Sequence, residues 1–539
     1  MTDHFSTSQP PVHESASRRP HLNFPAGSVE PDGLATAFWA YETALSINDL
    51  DALDILFATG ADTLRGDAGG LLIGHDQIAA FRRGRGGARA RKILSVHVRP
   101  IGREAALIIA VTSPAGGGRG QQTQLWRFDA AGGWRVEAAH VSIPAPAMNE
   151  SIWRVVGSPL VRGADEGALV GQSVAVKDLF AVAGHPIGGG VPVFLAERLP
   201  EGLSAPAVTA LLDAGAHVTG IAHTDEFAYS IEGRNPHYGT PPNAAVAGAI
   251  PGGSSSGVAS AVAAGQVSIG LGTDSGGSIR VPASYQGLWG LRSTHAAVDR
   301  ARLLALSASF DTVGWLTREP GVLTAVVAAS LDPIDHVTLA PRFAVSSALI
   351  GLADAAIAAV FSTTIQRLGF LGEFTDLLAV DLGDLDELSD TFRTIQAAEA
   401  WAAHGEWITA HPGALGDDIA ARFAWAATID GATEAAARVT RERVRTSIEA
   451  VLDGRVLLLP SASSTAPSVM VEPAVIEQIR SKTIRLTSIA GLLGAPALSA
   501  PLMSVGGAPA GFCLVGPRFS DLALVRLGSK FATALHAAQ

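Results

Sequence analysis

The chain has a single cysteine in 539 residues, Cys513 in the apolar run Gly511-Phe512-Cys513-Leu514-Val515-Gly516. No disulfide framework can form within it, so a reducing compartment is expected, and Cys513 reads as a small buried hydrophobe. No apolar stretch reaches the about 20 uninterrupted residues that a spanning helix needs. Residues 1–25 lack the apolar core of a secretory signal and are rich in Ser, Pro and His. These absences lead to the expectation of a cytoplasmic protein with a disordered lead-in over residues 1–29. Lysine is scarce, with four in the whole chain. A net charge of −11 and the lack of a basic stripe exclude nucleic acid as a partner. The short run from Arg82 to Lys92 is interrupted by glycine and reads as a solvated face or an anion pocket. His217, His223, His237 and His295 form no Cys/His cluster, so no metal is expected. Gly188-Gly189-Gly190 is not followed by Lys-Ser/Thr and is no phosphate loop, so no cofactor is expected.

What is present is a large apolar content, 47% against 17% charged, in a chain too long for one typical domain. Residues 251–290 carry most of the information. Two serine-bearing glycine turns, Gly252-Gly253-Ser254 and Gly276-Gly277-Ser278, bracket a run of Ala, Val and Gly. Glycine reaches backbone angles that other residues avoid. Two such turns can set two hydroxyls side by side and aim several free N–H groups at one point. That geometry suits attack on a carbonyl and capture of the oxyanion.

The chain reads as two units. In residues 30–147, helical periodicity over Leu34–Tyr41, Asp49–Phe57 and Asp76–Arg83 precedes strand-like runs at Ile93–Pro100, Ala105–Thr112, Gln122–Asp129 and Trp134–Ser142. Helices followed by an antiparallel meander predict an α+β unit. Arg65, His75, Arg82 and His140 could line an anion pocket there, or be structural. A Pro/Ala linker follows at residues 143–148. In residues 150–539, strands at Val174–Val176 and His217–His223 alternate with a helix ending near Gly215, which predicts a mixed or parallel sheet covered by helices. Long helices are expected over Ile357–Leu368, Leu388–Ala410 and Thr433–Leu452, with a core strand at Arg455–Leu459.

The run Gly272-Thr273-Asp274-Ser275-Gly276-Gly277-Ser278-Ile279-Arg280-Val281-Pro282-Ala283 resembles the amidase signature family, over roughly residues 150–520. Ala228-Tyr229-Ser230-Ile231-Glu232-Gly233, His237-Tyr238-Gly239-Thr240-Pro241 and Ser309–Trp315 bring it nearer to indole-3-acetamide-type amidohydrolases. The resemblance implies an α/β amidase fold, with Ser278 as nucleophile, Ser254 as bridging serine after a cis peptide, and Lys177 as base. Ser254 precedes Ser278 by 24 residues and follows Lys177 by 77. It further implies oxyanion donors at the N–H groups of Ser275, Gly276, Gly277 and Ser278. Asp274 and Arg280 would hold the loop, and Tyr229 and Ser230 would contact substrate. Gly290-Leu291-Arg292-Ser293-Thr294 departs from the family's Gly-Leu-Lys-Pro-Thr and puts pocket shape, rather than the reacting centre, in doubt.

Residues 73–82 and 121–142 resemble the NTF2-like superfamily, and more closely the NTF2-like proteins that accompany amidases of cyanuric-acid breakdown. That resemblance implies a cone used for dimerisation, or one that binds or hydrolyses a carboxylated urea. The leading expectation is an amidohydrolase that releases ammonia from a small-molecule carboxamide through an acyl-enzyme and forms a homo-oligomer through its N-terminal domain. An amidotransferase subunit and a non-catalytic amidase-like scaffold are the competitors. A scaffold would lose triad residues, and none is lost here.

Overall fold

The computed structural model describes residues 19–67, 70–85, 91–114, 120–142, 148–331, 339, 342–374 and 376–537. Residues 1–18 of the lead-in expected over 1–29, 116–119 of the glycine-rich loop and 143–147 of the linker lie outside these. Residues 19–29 are described, and Leu22–Asn23 there pairs with Val96–His97, so that part of the lead-in is not the disordered segment expected. The chain divides into two compact units at Met148/Asn149.

In the first unit, helices Leu34–Ile47, Leu50–Leu56 and His75–Arg85 accompany a seven-stranded sheet among the described residues. Its strands are β1 (Leu22–Asn23), β2 (Leu64–Asp67), β3 (Gly70–Ile73), β4 (Arg91–Ile101), β5 (Ala105–Pro114), β6 (Gly120–Phe128) and β7 (Trp134–Ser142), in the order β1-β4-β5-β6-β7-β2-β3. Strands β4 to β7 pair antiparallel in sequence order, as their alternation predicts. β1 pairs parallel with β4 at one edge, and β2 pairs parallel with β7 inside β3, pairings that the sequence did not suggest. Strands β1 and β2 are too short for a period of two to register. Leu34, Phe38 and Tyr41, at helical spacing, bury one helix face against Phe57, Trp126 and Val136. That helix runs past Tyr41 to Ile47 and stops at Asn48, whose φ of 56° ends it in the left-handed region. Asp49 then caps the next helix by accepting the Ala52 N–H at 3.0 Å.

The second unit is built on an 11-stranded mixed sheet among the described residues. Its strands are β8 (Trp153–Val161), β9 (Ser173–Lys177), β10 (His217–Ala222), β11 (Ile269–Asp274), β12 (Trp289–Arg292), β13 (Thr312–Thr317), β14 (Arg342–Val345), β15 (Asp376–Ala379), β16 (Val456–Pro460), β17 (Ala497–Val505) and β18 (Ala508–Val515). Their order is β15-β14-β16-β18-β17-β12-β13-β11-β9-β10-β8. The central strands are apolar on both faces, as strands covered on both sides must be. β9 runs parallel to both β10 and β11, so the three strands share a carboxyl edge. In sheets of this kind, ligands bind at that edge.

Candidate active site

Lys177 is the last residue of β9 and is fully buried. Its Nζ lies 2.8 Å from Ser254 Oγ, 3.1 Å from Ser255 Oγ and 2.8 Å from Thr273 Oγ1. Ser255 Oγ donates to the Thr273 carbonyl at 3.1 Å, so it presents a lone pair to Lys177. Burial pulls the Lys177 pKa down to about 7, against the opposing pull of Asp225, Asp311 and Asp274. Burial likewise pushes the Asp225 carboxyl up to about 6. Asp225 is held by the Gly233 N–H at 3.0 Å and Ser256 Oγ at 3.1 Å.

The turn at Ser254 is fixed from several sides. The Gly253–Ser254 peptide is cis. Thr224 Oγ1 donates to the Ser254 carbonyl at 2.8 Å, and the Gly253 N–H donates to the Ile231 carbonyl at 2.8 Å. A Cβ on Gly253 would collide with the Asp225 carboxylate and the Gly233 nitrogen, so only glycine fits.

Ser278 sits in the turn that leaves β11. It is buried, and its carbonyl accepts the Ser255 N–H at 3.4 Å. Lys177 and Ser254 are therefore in direct contact, while Ser278 is joined to them through the Ser255 backbone. Asp274 organises this turn. Its Oδ1 accepts the Gly277 N–H at 2.9 Å, Arg280 Nη2 at 2.8 Å and Arg292 Nη1 at 3.1 Å. Its Oδ2 accepts the Ile279 N–H at 3.1 Å and Arg280 Nε at 3.0 Å. Burial alone would raise this carboxyl, but Arg280 and Arg292 override it and hold the group far below the usual carboxylate range.

Two expectations change here. The Gly277 N–H is spent on Asp274, because the turn wraps the carboxylate, and so it leaves the expected oxyanion set. Arg292, assigned from sequence to pocket shape, is fully buried and bonds both the Asp274 carboxylate and the Ser275 carbonyl, the latter at 3.2 Å. Sequence reasoning also missed Ser255, Thr273 and Asp225. Thr273 stands inside the signature run and Ser255 directly follows the Gly252-Gly253-Ser254 turn, and only their neighbourhood marks them. Tyr229 and Ser230 lie two residues and one residue before Ile231, which meets the Gly253 turn. Their own groups are engaged within the protein. The Tyr229 carbonyl accepts Arg422 Nη1 at 2.8 Å, its ring packs edge-on against Phe423 at 5.0 Å, and Ser230 Oγ accepts the Glu232 N–H at 3.2 Å.

Residues 157–525 match the Amidase family, and residues 31–147 match the AtzH-like family. The chain belongs to the amidase family. It is accordingly a hydrolase of C–N bonds in amides, with an AtzH-like N-terminal domain. It is 34% identical over 382 residues to Amidase 1 of Oryza sativa subsp. japonica, spanning 66% of this chain and 88% of that protein. A solved structure reported as "an unexpected vestigial protein complex" revealing "the evolutionary origins of an s-triazine catabolic enzyme" superposes with a TM-score of 0.62 at 25% identity. The match covers 69% of this chain and 85% of the solved one. The Translocon at the outer membrane of chloroplasts 64 of Pisum sativum is 28% identical over 356 residues, 61% of this chain and 60% of that protein. That relative overturns the cytoplasmic expectation. A relative in sequence is named for an outer membrane, so neither the lone cysteine nor the composition of residues 1–25 assigns this chain a compartment. No described helix is long and apolar enough to cross a membrane.

Asp274→Asn tests the ion network. It leaves Arg280 and Arg292 buried without their anion, and we expect a loss of about 3–5 kcal/mol of stability in urea denaturation at pH 7. A midpoint equal to the wild type contradicts the network's structural role.

Proposed function

We propose that this amidase cleaves a small-molecule carboxamide through an acyl-enzyme on Ser278, with Ser254 as proton relay and Lys177 as base. The observation that carries the reading is a fully buried amine ringed by three hydroxyls. A neutral amine has two N–H donors and one lone pair. Ser255 and Thr273 take the donors, and Ser254 gives its proton to the lone pair. Ser254 Oγ then accepts the proton of Ser278 Oγ as that oxygen bonds the amide carbon. The carbonyl oxygen becomes an oxyanion facing the N–H groups of Ser275, Gly276 and Ser278. The proton on Lys177 returns through Ser254 to the nitrogen, the C–N bond breaks and ammonia leaves. Water enters by the same route and releases the carboxylate and Ser278.

Ser278→Ala should abolish ammonia release while leaving the fold intact. Lys177→Ala should cost about 10³-fold or more in kcat, and Ser254→Ala less, because water replaces a relay better than a base. Lys177 acts unprotonated, and its pKa is lowered, so activity rises with pH through a limb near 7 rather than near the ordinary lysine value. The limb belongs to the Lys177–Asp225 pair as a whole. Wild-type turnover by Ser278→Ala sinks the assignment.

A second reading concerns the N-terminal unit, which we take to be an NTF2-like cone carrying a homodimer contact. Light scattering on the full chain tests the contact, and a monomeric particle removes it. Of the four residues expected to gather an anion, Arg65 and Arg82 are buried, whereas His140 is exposed on β7 and His75 Nδ1 is tied to the Ala58 carbonyl at 3.1 Å. Arg65 pairs with Asp67 at 2.8 Å. Arg82 lies over the Phe57 ring at 3.9 Å, and its Nη2 is buried without a partner, as is Gln124 Nε2. Such orphaned donors suit a carboxylate-bearing small molecule such as a carboxylated urea. Calorimetric titration with allophanate tests this. Arg82→Met should abolish binding while leaving amide hydrolysis unchanged, and equal heats in both proteins remove the site.

A further inference from the structure

Each peptide of the turn after β11 is pinned by its oxygen. The Asp274 carbonyl accepts Arg292 Nη1 and Thr312 Oγ1, the latter at 3.1 Å. The Ser275 carbonyl accepts Arg292 Nη1 at 3.2 Å, the Gly276 carbonyl accepts Thr487 Oγ1 at 2.6 Å, and the Gly277 carbonyl accepts the Val281 N–H at 2.8 Å. A planar trans peptide sends its N–H opposite to its C=O. Holding the oxygens of Asp274, Ser275 and Gly277 therefore aims the N–H groups of Ser275, Gly276 and Ser278 the other way.

Ser275 is the hinge between the first two of these peptides, and it alone in the turn has its side chain held by a carboxylate. Its Oγ donates to Asp311 Oδ1. Asp311 Oδ2 accepts the N–H groups of Leu306 and Ser307, each at 2.9 Å. The 306–311 loop is anchored in turn on Glu399 of the helix Leu385–Ala410. Glu399 takes the Ser309 N–H at 2.9 Å, the hydroxyls of Ser307 and Ser309, and Arg438 Nη2 at 2.7 Å. Asp311 is buried, with a hydroxyl and two backbone N–H groups as its donors.

We propose that Asp311 is a positioning residue that sets the angle between the Ser275 and Gly276 oxyanion donors by fixing the Ser275 side chain, and that Glu399 holds Asp311's loop in register. This rests on the reading of the turn as the oxyanion site. It names a role for a residue 33 positions beyond Ser278 that touches neither nucleophile nor base. The substituent that matters is one hydroxyl, and a misaimed donor pair weakens stabilisation of any tetrahedral intermediate, whatever its leaving group.

Ser275→Ala and Ser275→Thr, compared on 4-nitrophenyl butyrate and on benzamide, test it. The ester needs no protonation of its leaving group, so it reads the oxyanion site apart from the return of the proton from Lys177, although Lys177 still takes the Ser278 proton during attack. We expect Ser275→Ala to lower kcat about 10- to 100-fold on both substrates with KM within about twofold. Ser275→Thr restores the hydroxyl and should restore kcat. Glu399→Gln should lower kcat in the same way, on both substrates, by a smaller factor. Unchanged ester kcat in Ser275→Ala overturns the inference, and so does a loss confined to the amide or one that Ser275→Thr does not repair. A wild-type enzyme inert on both substrates instead removes the underlying reading of the site, and the inference with it.

Discussion

The rest of the second unit depends on an amine taken wholly out of water at the end of β9. Water no longer stabilises the charged form of Lys177, while the carboxylates of Asp225, Asp311 and Asp274 favour it, and the two pulls balance near neutrality. That balance needs close approach. A Cβ on Gly272 would stand 2.7 Å from Ser255 Oγ, and one on Gly253 would strike Asp225. The small residues of the two turns are therefore a consequence of closing hydroxyls around the amine. They also leave the turn after β11 without side chains between its N–H groups and an incoming carbonyl.

The three carboxylates near Lys177 are not equivalent. Asp274 is neutralised by Arg280 and Arg292 and serves as a frame around which the turn folds. Asp225 and Asp311 are held by hydroxyls and backbone N–H groups, so they keep their influence on the amine. A buried charge with two cations beside it is costly to break and rigid, whereas one held by neutral donors can still tune a neighbour's proton affinity. Asp274 thus chiefly frames the turn, Asp225 acts more strongly on the amine, and Asp311 acts on the amine while also holding the Ser275 side chain.

The sequence exposed what is local. The alternation of β4 to β7, the long helices near 357–368, 388–410 and 433–452, and both glycine turns are written in neighbouring residues. The Lys177–Ser254–Ser278 set was legible only through its resemblance to a family, since a lone lysine or a Gly-Ser turn carries no such message. What stayed hidden depends on distance along the chain. Thr487 reaches Gly276 across 211 positions, and Arg280 reaches Thr487 across 207. The helix Pro473–Leu493 that carries Thr487, and the β17–β18 hairpin, gave no motif to read. Gly277 was misassigned because composition cannot say which N–H of a turn a neighbouring carboxylate has already taken. Arg292 was misplaced for a like reason: its side chain runs back across the sheet to the turn it follows in sequence by 14 residues.

The scarcity of lysine makes the central claim directly measurable. With four lysines in the chain, the Cε resonances of selectively labelled protein can be followed through a pH titration, and Lys177→Arg identifies the one that belongs to Lys177. The account predicts a midpoint near the value of about 7 set by burial and the surrounding carboxylates. A Lys177 that titrates at the ordinary lysine value of about 10.4 would still be charged at neutral pH and could not act as the base, which would contradict the account.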